Sequence, residues 1–503
     1  MRHFFMRLFC FPLIGFLFQA CGEKEEIAVT PIEVKSIKGI ASQYTLGQHE
    51  LLVINPEIEL SQGDISDAKF EWGIGGKTVS TEKKLNVPMS ELGTFDAYFK
   101  IYTSKNGEIY EFKVRVSSPS YDKGLLLLSE ANGRAMLTFK RLDDMQASAS
   151  PGVFKANNPN AVLGAVPLSV CWTGEGITNP NNIEDSGSLY IAISSDNPQK
   201  TYLLDSQTLK INSEVTYRDE GIFKPEHITA SYGSQNFLWS QEQLVYFIGG
   251  GKEFPYLTGE DKNFIKPRKR HTIPDDVRLA NLSCNVITNP TDFVRVYYDL
   301  NGKRLVYVAG IRGTVLGKIA CGVTPLNLLA CNGQYADANA DGRYEPREVM
   351  LVGNEGGKVK LLRFAPAANK AEESLIKEID ATGHIEPTAA TTVNPIKPIL
   401  YYSDSKGNIF SLNYENSNFT DEPYISLGER FTIQSLIFDP YNPETLYIAA
   451  EDKTEKTDMK ASIFIYNVKD PASSRRLFEG HRVGGKIRRM IYKGNGLEHL
   501  TEH

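Results

Sequence analysis

Several features that mark common protein classes are scarce or missing in this sequence. Only six cysteines occur among 503 residues, and no two have the C-x-x-C spacing of a redox or zinc site. Neither the G-x-S-x-G elbow of many esterases nor the H-E-x-x-H motif of zinc proteases is present. Lysine and arginine (55) do not exceed aspartate and glutamate (61), so no basic excess favours nucleic-acid binding. After residue 20 no apolar run is long enough to cross a membrane. The sequence is instead rich in glycine and tyrosine, and its residue pattern favours the many strands of an all-β protein.

The few cysteines leave three disulfide pairings open. Four of them follow the N-terminal region: Cys171, Cys284, Cys321 and Cys331. Cys321 and Cys331 are the closest in sequence, and a bridge between them would stabilise the fold by about 3 kcal/mol in the chain-entropy model. Free buried thiols are the alternative.

Histidines and basic pairs give no clustered site. His49, His227, His384 and His481 are widely scattered, which favours surface or loop positions over metal ligation. The basic run 266–271 and the pairs 475–476 and 488–489 are typical of solvated segments, and docking onto an acidic partner is the alternative.

The stretch Ile399–Tyr414 (ILYYSDSKGNIFSLNY) predicts a β-hairpin that is covered on both faces. Two apolar runs flank a polar turn in which Gly407 supplies a permissive backbone. Neighbours such as Leu400 and Tyr401, which a strand directs to opposite faces, are both apolar. A sheet with one wet face would alternate apolar and polar residues, so this hairpin must be buried on both sides.

Apolar runs of this kind recur along the chain. They begin at Leu125, Leu189, Leu244, Leu305, Val349, Ile399 and Leu446. The spacings between them are 64, 55, 61, 44, 50 and 47 residues, close to the roughly 40–50 residues of a four-stranded propeller blade. Radially packed blades bury each sheet against two neighbours. The sequence therefore predicts a β-propeller of about seven blades over residues 123–503.

Residues 1–20 predict a lipoprotein signal peptide. A basic start precedes the apolar core Leu8–Ala20, and Cys21 follows directly. This order resembles a bacterial lipoprotein signal, in which the cysteine receives the lipid and becomes the mature N-terminus. An ordinary secretory peptide with an incidental cysteine is the alternative. Residues 21–29 form an acidic tether similar to the surface-export signal of Bacteroidetes lipoproteins. We therefore expect an outer-membrane, lipid-anchored protein exposed at the cell surface.

Residues 30–118 predict a small β-sandwich. Its strongest hairpin signal is Lys105-Asn106-Gly107 between two strand-like segments, and Trp72 is the expected core anchor. The segments FEWGIGG, LGTFDAYFKIYTSKNGEIYEFKVRV and DKGLLLLSEANGRAMLTF resemble the PKD-like lipoprotein family of Bacteroidetes. The resemblance covers the signal, the sandwich and the first blade. The remaining blades resemble the family only in their general strand-rich pattern.

That resemblance implies a PKD-like sandwich joined to a propeller-like body. It also implies an accessory lipoprotein encoded beside Sus- or RagAB-type outer-membrane importers, with a TonB-dependent importer and its lid lipoprotein as partners.

Residues 337–348 fit the twelve-position calcium loop D-x-[DN]-x-[DN]-G-x5-E. The predicted Ca²⁺ ligands are Asp337, Asn339, Asp341, Arg343 through its carbonyl, Glu345 and Glu348. Pro346 and the apolar run from Val349 are foreign to the helix of an EF-hand, so we expect a structural calcium ion in a blade connection. The alternative is a turn whose side chains cap their own backbone.

The sequence leaves two classes of function open. The first is a non-catalytic surface lipoprotein that assists a nutrient importer by binding oligopeptide or glycan cargo or by docking onto the importer. The second is a surface propeller enzyme acting on glycans or peptides, with paired carboxylates at the central channel. The lipid anchor and the lack of a catalytic motif favour the first class, with no catalytic residue assigned.

Overall fold

The described part of the chain falls into two compact units. The computed structural model describes residues 31–47, 51–89, 91, 93–117, 121–176, 190–215, 225–230, 237–241, 244–248, 264–265, 268–269, 276–289, 292–309, 314–335, 344–365 and 375–494. Unit 1 comprises Met1–Pro119 and unit 2 comprises Ser120–His503. The predicted signal peptide, Cys21 and the acidic tether lie outside the described residues. Among those residues no helix has the length and apolar character needed to cross a membrane.

Unit 1 is built from strands around one core. Its strands are β1 (Glu33–Lys38), β2 (Gln43–Gly47), β3 (Leu51–Ile54), β4 (Glu57–Gln62), β5 (Lys69–Ile74), β6 (Lys77–Ser80), β7 (Leu85–Pro88), β8 (Gly93–Tyr102) and β9 (Gly107–Ser117), with one 3₁₀ turn at Ile65–Asp67. They form one five-stranded sheet, in the order β2-β9-β8-β5-β6, and two two-stranded sheets, β1-β4 and β3-β7.

The core of unit 1 draws residues from both kinds of sheet. Trp72 and Phe99 of the large sheet cluster with Leu52 of β3 and Leu85 of β7. Trp72 is fully buried, and its indole N–H donates to the carbonyl of Glu82 at 2.8 Å. Pairing the only polar group of the indole lets this large side chain be buried without an unsatisfied donor. Trp72 thus occupies the core position that the sequence predicts.

Unit 2 contains most of the strands. They are β10 (Gly124–Ala131), β11 (Arg134–Arg141), β12 (Val166–Trp172), β13 (Tyr190–Asp196), β14 (Lys200–Asp205), β15 (Ile211–Val215), β16 (His227–Ala230), β17 (Phe237–Gln241), β18 (Leu244–Ile248), β19 (Phe264–Ile265), β20 (Arg268–Lys269), β21 (Leu279–Asn289), β22 (Asp292–Asp299), β23 (Arg304–Ala309), β24 (Thr314–Ala320), β25 (Thr324–Tyr335), β26 (Tyr344–Glu355), β27 (Lys358–Phe364), β28 (Leu375–Asp380), β29 (Thr391–Val393), β30 (Ile399–Ser403), β31 (Asn408–Asn413), β32 (Asn418–Phe419), β33 (Ile425–Ser426), β34 (Phe431–Phe438), β35 (Thr445–Asp452), β36 (Ala461–Asn467), β37 (Arg475–Gly484) and β38 (Lys486–Lys493). The described part of the unit also has the short helix α1 (Val153–Asn157) and a 3₁₀ turn at Thr173–Gly176.

Within the described ranges these strands form seven sheets that follow one another along the chain. The sheets are β38-β10-β11, β12-β13-β14-β15-β19, β16-β17-β18-β20, β21-β22-β23-β24, β25-β26-β27-β28, β29-β30-β31-β32 with β33, and β34-β35-β36-β37. The first strand of each sheet neighbours the first strand of the next, and β34 neighbours β38. Because β38 is the last strand and pairs with β10, the C-terminal end closes the ring. The all-β, propeller-like fold that the sequence predicts is confirmed.

Apolar side chains on both faces of the sheets hold neighbouring sheets together. In β26, Val349 and Leu351 belong to a cluster shared with the fourth sheet, whereas Met350 and Val352 belong to one shared with the sixth. A strand directs successive side chains to opposite faces. Two buried faces therefore require the unbroken apolar run that this segment carries.

The predicted hairpin Ile399–Tyr414 shows the same arrangement. Strands β30 and β31 pair with Leu400 opposite Leu412, and Gly407 in the turn has a φ of +79°. Leu400 contributes to the cluster shared with the fifth sheet, and Tyr401 to the cluster shared with the seventh. The prediction that this hairpin is covered on both faces is confirmed.

The predicted disulfide between Cys321 and Cys331 is not formed, and none of the four described cysteines is part of a disulfide. Cys331 lies seven residues into β25, about 23 Å from Thr324 along the strand. Cys321 lies three residues before Thr324, which allows at most about 11 Å between their Cα atoms. The two Cα atoms are therefore more than about 10 Å apart, whereas a disulfide needs them within about 7 Å.

Candidate functional site

The inner strands of unit 2 surround a cavity of about 770 Å³. Residues of β12, β16, β21, β25, β29, β34 and β38 line it, which are the end strands of all seven sheets. The polar lining consists of Ser169, Glu226, His227, Asn281, Ser283, Asn327, Thr388, Thr391, Thr392, Gln434, Ser435, Arg488 and Arg489. The cavity is thus the central channel of the ring, and every sheet contributes to its chemistry.

Three arginines concentrate positive charge on one side of this cavity. We call Arg295, Arg488 and Arg489 the arginine cluster. Arg489 donates from Nη1 to three weak acceptors at 3.4 Å, namely Ser169 Oγ, His227 Nδ1 and the carbonyl of Ile228. Arg488 lies beside it on β38 and donates from Nε to the carbonyl of Leu168 at 3.0 Å. Closure of the ring by β38 is what brings these two guanidinium groups to β12 and β16.

Arg295 forms a second tier behind the cavity wall. Its side chain reaches from β22 to the carbonyl of Ala230, and its Nη1 donates to Ser283 Oγ at 3.3 Å. The residue is only 8% exposed, and its Nε has no hydrogen-bond partner. A guanidinium that is buried without a carboxylate places a fixed positive charge in a medium of low dielectric constant.

The contacts of His227 fix its tautomer. A guanidinium only donates, so Nδ1 of His227, which faces Arg489, must accept, and Nε2 carries the proton. Nε2 then donates to Ser283 Oγ at 3.0 Å. Burial, followed by the charges of Arg489, Arg295 and Arg488, holds the pKa of His227 well below its ordinary value of 6.5. The imidazole is therefore neutral at pH 7 and acts as a link between the arginine cluster and Ser283.

The arc formed by β25, β29 and β34 differs in character. Its lining includes Leu326, Leu329, Ala389, Ala390, Leu436 and Ile437. The polar groups on this arc satisfy one another in part, since the amide of Asn327 donates to the carbonyl and hydroxyl of Thr391 at 3.1 and 2.8 Å. The cavity is thus charged on one side and largely neutral on the other.

Most of the predicted calcium ligands lie outside the described residues. Residues 336–343 lie outside the described residues, as do the side chains of 344 and 345, so Asp337, Asn339, Asp341, Arg343 and Glu345 stay a prediction. Glu348 is described in β26, where Oε1 accepts from Asn332 Nδ2 at 2.8 Å and Oε2 lies 2.9 Å from Arg363 Nε. Bidentate chelation by Glu348 would require that its carboxylate exchange both contacts for the ion.

A second constellation resembles a catalytic triad in composition. His481 contacts Ser462 Oγ through Nδ1 at 3.0 Å and Glu479 Oε1 through Nε2 at 2.8 Å. A nucleophile must be reachable by the substrate, but Ser462 is only 1% exposed within β36. The three residues therefore tie β36 to β37, and we assign them a structural role.

The structure also corrects the expectation for the histidines. His384 lies exposed in a connection and stacks on Phe419, in line with the sequence. His227, by contrast, is 6% exposed and lies at the start of β16, because this strand faces the channel. His481 lies in β37, and the basic run 266–271 lies largely outside the described residues. The sequence shows His227 and the pair 488–489 far apart and carries no signal that joins them.

No protein-family model and no curated protein matches this sequence. Among solved structures it is similar to a quinonprotein alcohol dehydrogenase-like protein from Bacteroides thetaiotaomicron, at 14% identity over 92% of this chain and 99% of that chain, with a TM-score of 0.47. It is also similar to the dihydro-heme d1 dehydrogenase NirN (10% identity, 80% and 74% covered, TM-score 0.41). A third similar structure is that of the WD40 repeats of RRP9 (9% identity, 63% and 82% covered, TM-score 0.40). Likeness at this level carries no argument about function, and the propeller-like fold rests on the strand pairing described above.

Proposed function

We propose that this protein is a non-catalytic binding protein that holds cargo in the central cavity of unit 2. The observation that carries the proposal is the cavity itself, about 770 Å³ in volume and lined by all seven inner strands. Ligand pockets in proteins typically span about 300–1,000 Å³. Its lining combines hydroxyl, amide, guanidinium and aliphatic groups, which suits a peptide or glycan fragment with both polar and apolar parts.

The charges of the lining support binding over hydrolysis. Glycoside hydrolysis commonly uses two carboxylates about 5–10 Å apart. The described lining supplies one carboxylate, Glu226, whose Oε2 accepts from Asn281 Nδ2 at 3.5 Å, together with two guanidinium groups. Such a lining orients a charged ligand. Among the described residues it does not supply the acid and base pair of a glycosidase, and a surface enzyme is the alternative.

We further propose that this binding protein is anchored at the outer membrane beside an importer. Cys21 behind a short apolar segment supports a lipid anchor, and the acidic tether supports exposure at the cell surface. The resemblance to PKD-like lipoproteins supports docking onto a Sus- or RagAB-type importer and its lid lipoprotein. A lipid tether confines the protein to the membrane surface and raises its effective concentration there, so a modest interface suffices for docking.

Two measurements test this placement. The Cys21→Ala variant should move from the membrane fraction to the soluble fraction, since lipid burial contributes about 0.8 kcal/mol per methylene. An unmodified N-terminus in the intact mass of the wild-type protein would contradict the anchor. Affinity purification from gently solubilised membranes should recover importer subunits together with the tagged wild-type protein. Recovery of the isolated monomer alone would remove the importer from the proposal and leave cargo binding to be judged separately.

A further inference from the structure

Among the described residues, positive charge at the central cavity has no counter-charge in contact with it. Among the described residues no carboxylate lies within ion-pair distance of Arg295, Arg488 or Arg489, and Glu226, which also lines the cavity, pairs with none of them. Of the three, only Arg295 is buried, and an unpaired buried charge destabilises a folded protein. A negatively charged group from outside would complete such a cluster.

Around the arginine cluster, the described part of the cavity wall presents hydrogen-bond donors and few acceptors. Nε and Nη2 of Arg489 have no hydrogen-bond partner within the described part of the chain. Ser283 Oγ already accepts from His227 and Arg295, and Ser169 Oγ accepts from the N–H of Ile228 at 3.1 Å and from Arg489. Both hydroxyl protons therefore lack an acceptor in the described residues. A group that enters here must accept several hydrogen bonds at once.

We propose that this wall binds the carboxylate of the cargo, with Arg489 as the principal donor and Arg488, Ser169 and Ser283 around it. This inference rests on the proposed function and names the chemistry that the cavity selects. A guanidinium matches a carboxylate in geometry, because two parallel N–H groups meet two oxygens. Arg295 adds a fixed charge behind the wall, and neutral His227 holds Ser283 in place.

The rest of the cavity sets the polarity of the ligand. The arc of β25, β29 and β34 offers aliphatic contacts and neutral polar groups, which suit the body of the cargo. Glu226, which directly precedes His227, would disfavour a second carboxylate in the cavity. The ligand class is therefore a small molecule with one terminal carboxylate and a neutral body, which is the chemistry of a peptide C-terminus and of a terminal uronic acid.

Matched ligands test the inference on the full-length protein. Calorimetric titration would compare oligopeptides with a free and an amidated C-terminus, and oligosaccharides with a terminal uronate and the corresponding neutral sugar. We expect the free carboxylate to bind at least tenfold more tightly than its neutral partner, as one charge-assisted hydrogen bond provides. The peptide and sugar arms distinguish the two sources of the carboxylate.

The Arg489→Gln variant should remove that tenfold preference by weakening binding of the free carboxylate at least tenfold. Arg475→Gln, at an exposed position on β37, is the matched control and should change neither. Melting curves of each variant confirm folding, and Arg488→Gln replaces Arg489→Gln if the latter unfolds. Equal binding of charged and neutral ligands by the wild-type protein would overturn the carboxylate site and leave cargo binding in place. Failure of every ligand to bind would overturn the proposed cargo function as well.

Discussion

The ammonium of Lys140 provides a sharp test of how unit 2 is stabilised. Lys140 lies on β11, is 0% exposed, and donates from Nζ to the carbonyls of Arg141, Asp144 and Met145 at 2.6, 3.1 and 3.3 Å. The ammonium also lies 4.3 Å from the ring centroid of Phe478. Two effects oppose each other here, because burial favours the neutral amine whereas the three carbonyls favour the charged form.

Burial outweighs the neighbouring Asp144 and Asp143 carboxylates and lowers the pKa of Lys140 from 10.5 to about 8. Between these two values the unfolded chain, in which the amine has its ordinary pKa, binds more protons than the folded chain. The free energy of unfolding therefore rises with pH over this window. Linkage gives a gain of about 2 kcal/mol between pH 7.5 and pH 9.5 for a shift from 10.5 to about 8.

The Lys140→Met variant keeps the length of the side chain but removes the titrating group. We expect the difference in unfolding free energy between wild type and variant to grow by about 2 kcal/mol from pH 7.5 to pH 9.5. Urea unfolding followed by near-ultraviolet circular dichroism at the two pH values measures this difference. Lys486→Met, at an exposed position on β38, is the matched control and should show a constant difference.

A constant or shrinking difference for Lys140→Met would refute this reasoning. It would mean that the three carbonyl acceptors hold the ammonium charged across the whole window. The offset measured at pH 7.5 would then report the loss of those hydrogen bonds, which cost about 1–3 kcal/mol for each buried acceptor left unpaired.

Two further predictions concern the hairpin and the calcium motif. Leu400→Ala and Ile409→Ala, on opposite faces of the hairpin and both 0% exposed, should each lower the free energy of unfolding by about 2–5 kcal/mol. Ile396→Ala, 36% exposed, is the control, and a near-neutral result at either buried position would contradict a sheet covered on both faces. We also propose that calcium at about 1 mM raises the melting temperature slightly and that Asp337→Ala abolishes the effect, since extracellular modules bind this ion at roughly 0.1–1 mM. A wild-type melting curve indifferent to calcium and chelator would end that proposal.

The sequence could predict the middle strands of the sheets, because burial on both faces leaves an unbroken apolar run. Each of the seven runs falls in a different sheet: in β10, β13, β26, β30 and β35 it is the second strand, and in β18 and β23 it is the third. This change of strand position also explains the shortest spacing, the 44 residues between the runs of the fourth and fifth sheets. The step from the second to the third sheet contains one additional strand, and the step from the fourth to the fifth contains one fewer.

The inner strands could not be predicted in the same way. Their residues face the channel at an edge without a strand partner, so they carry mixed polar and apolar residues with no clear period. The β16 segment HITA is four residues long and carries no turn signal that would mark it. The predicted disulfide was wrong for a related reason, because closeness in sequence along an extended strand means distance in space.

The position of the candidate site in the chain explains why no motif describes it. Arg489 contacts Ser169 across 320 residues and His227 across 262. These contacts exist only when β38 pairs with β10 and closes the ring. Loop-closure entropy makes so distant a contact costly until the intervening sheets are formed, so the arginine cluster assembles only in a completed unit 2. The binding surface that we propose is therefore a property of the closed ring of sheets, and no single blade or segment of the sequence carries it.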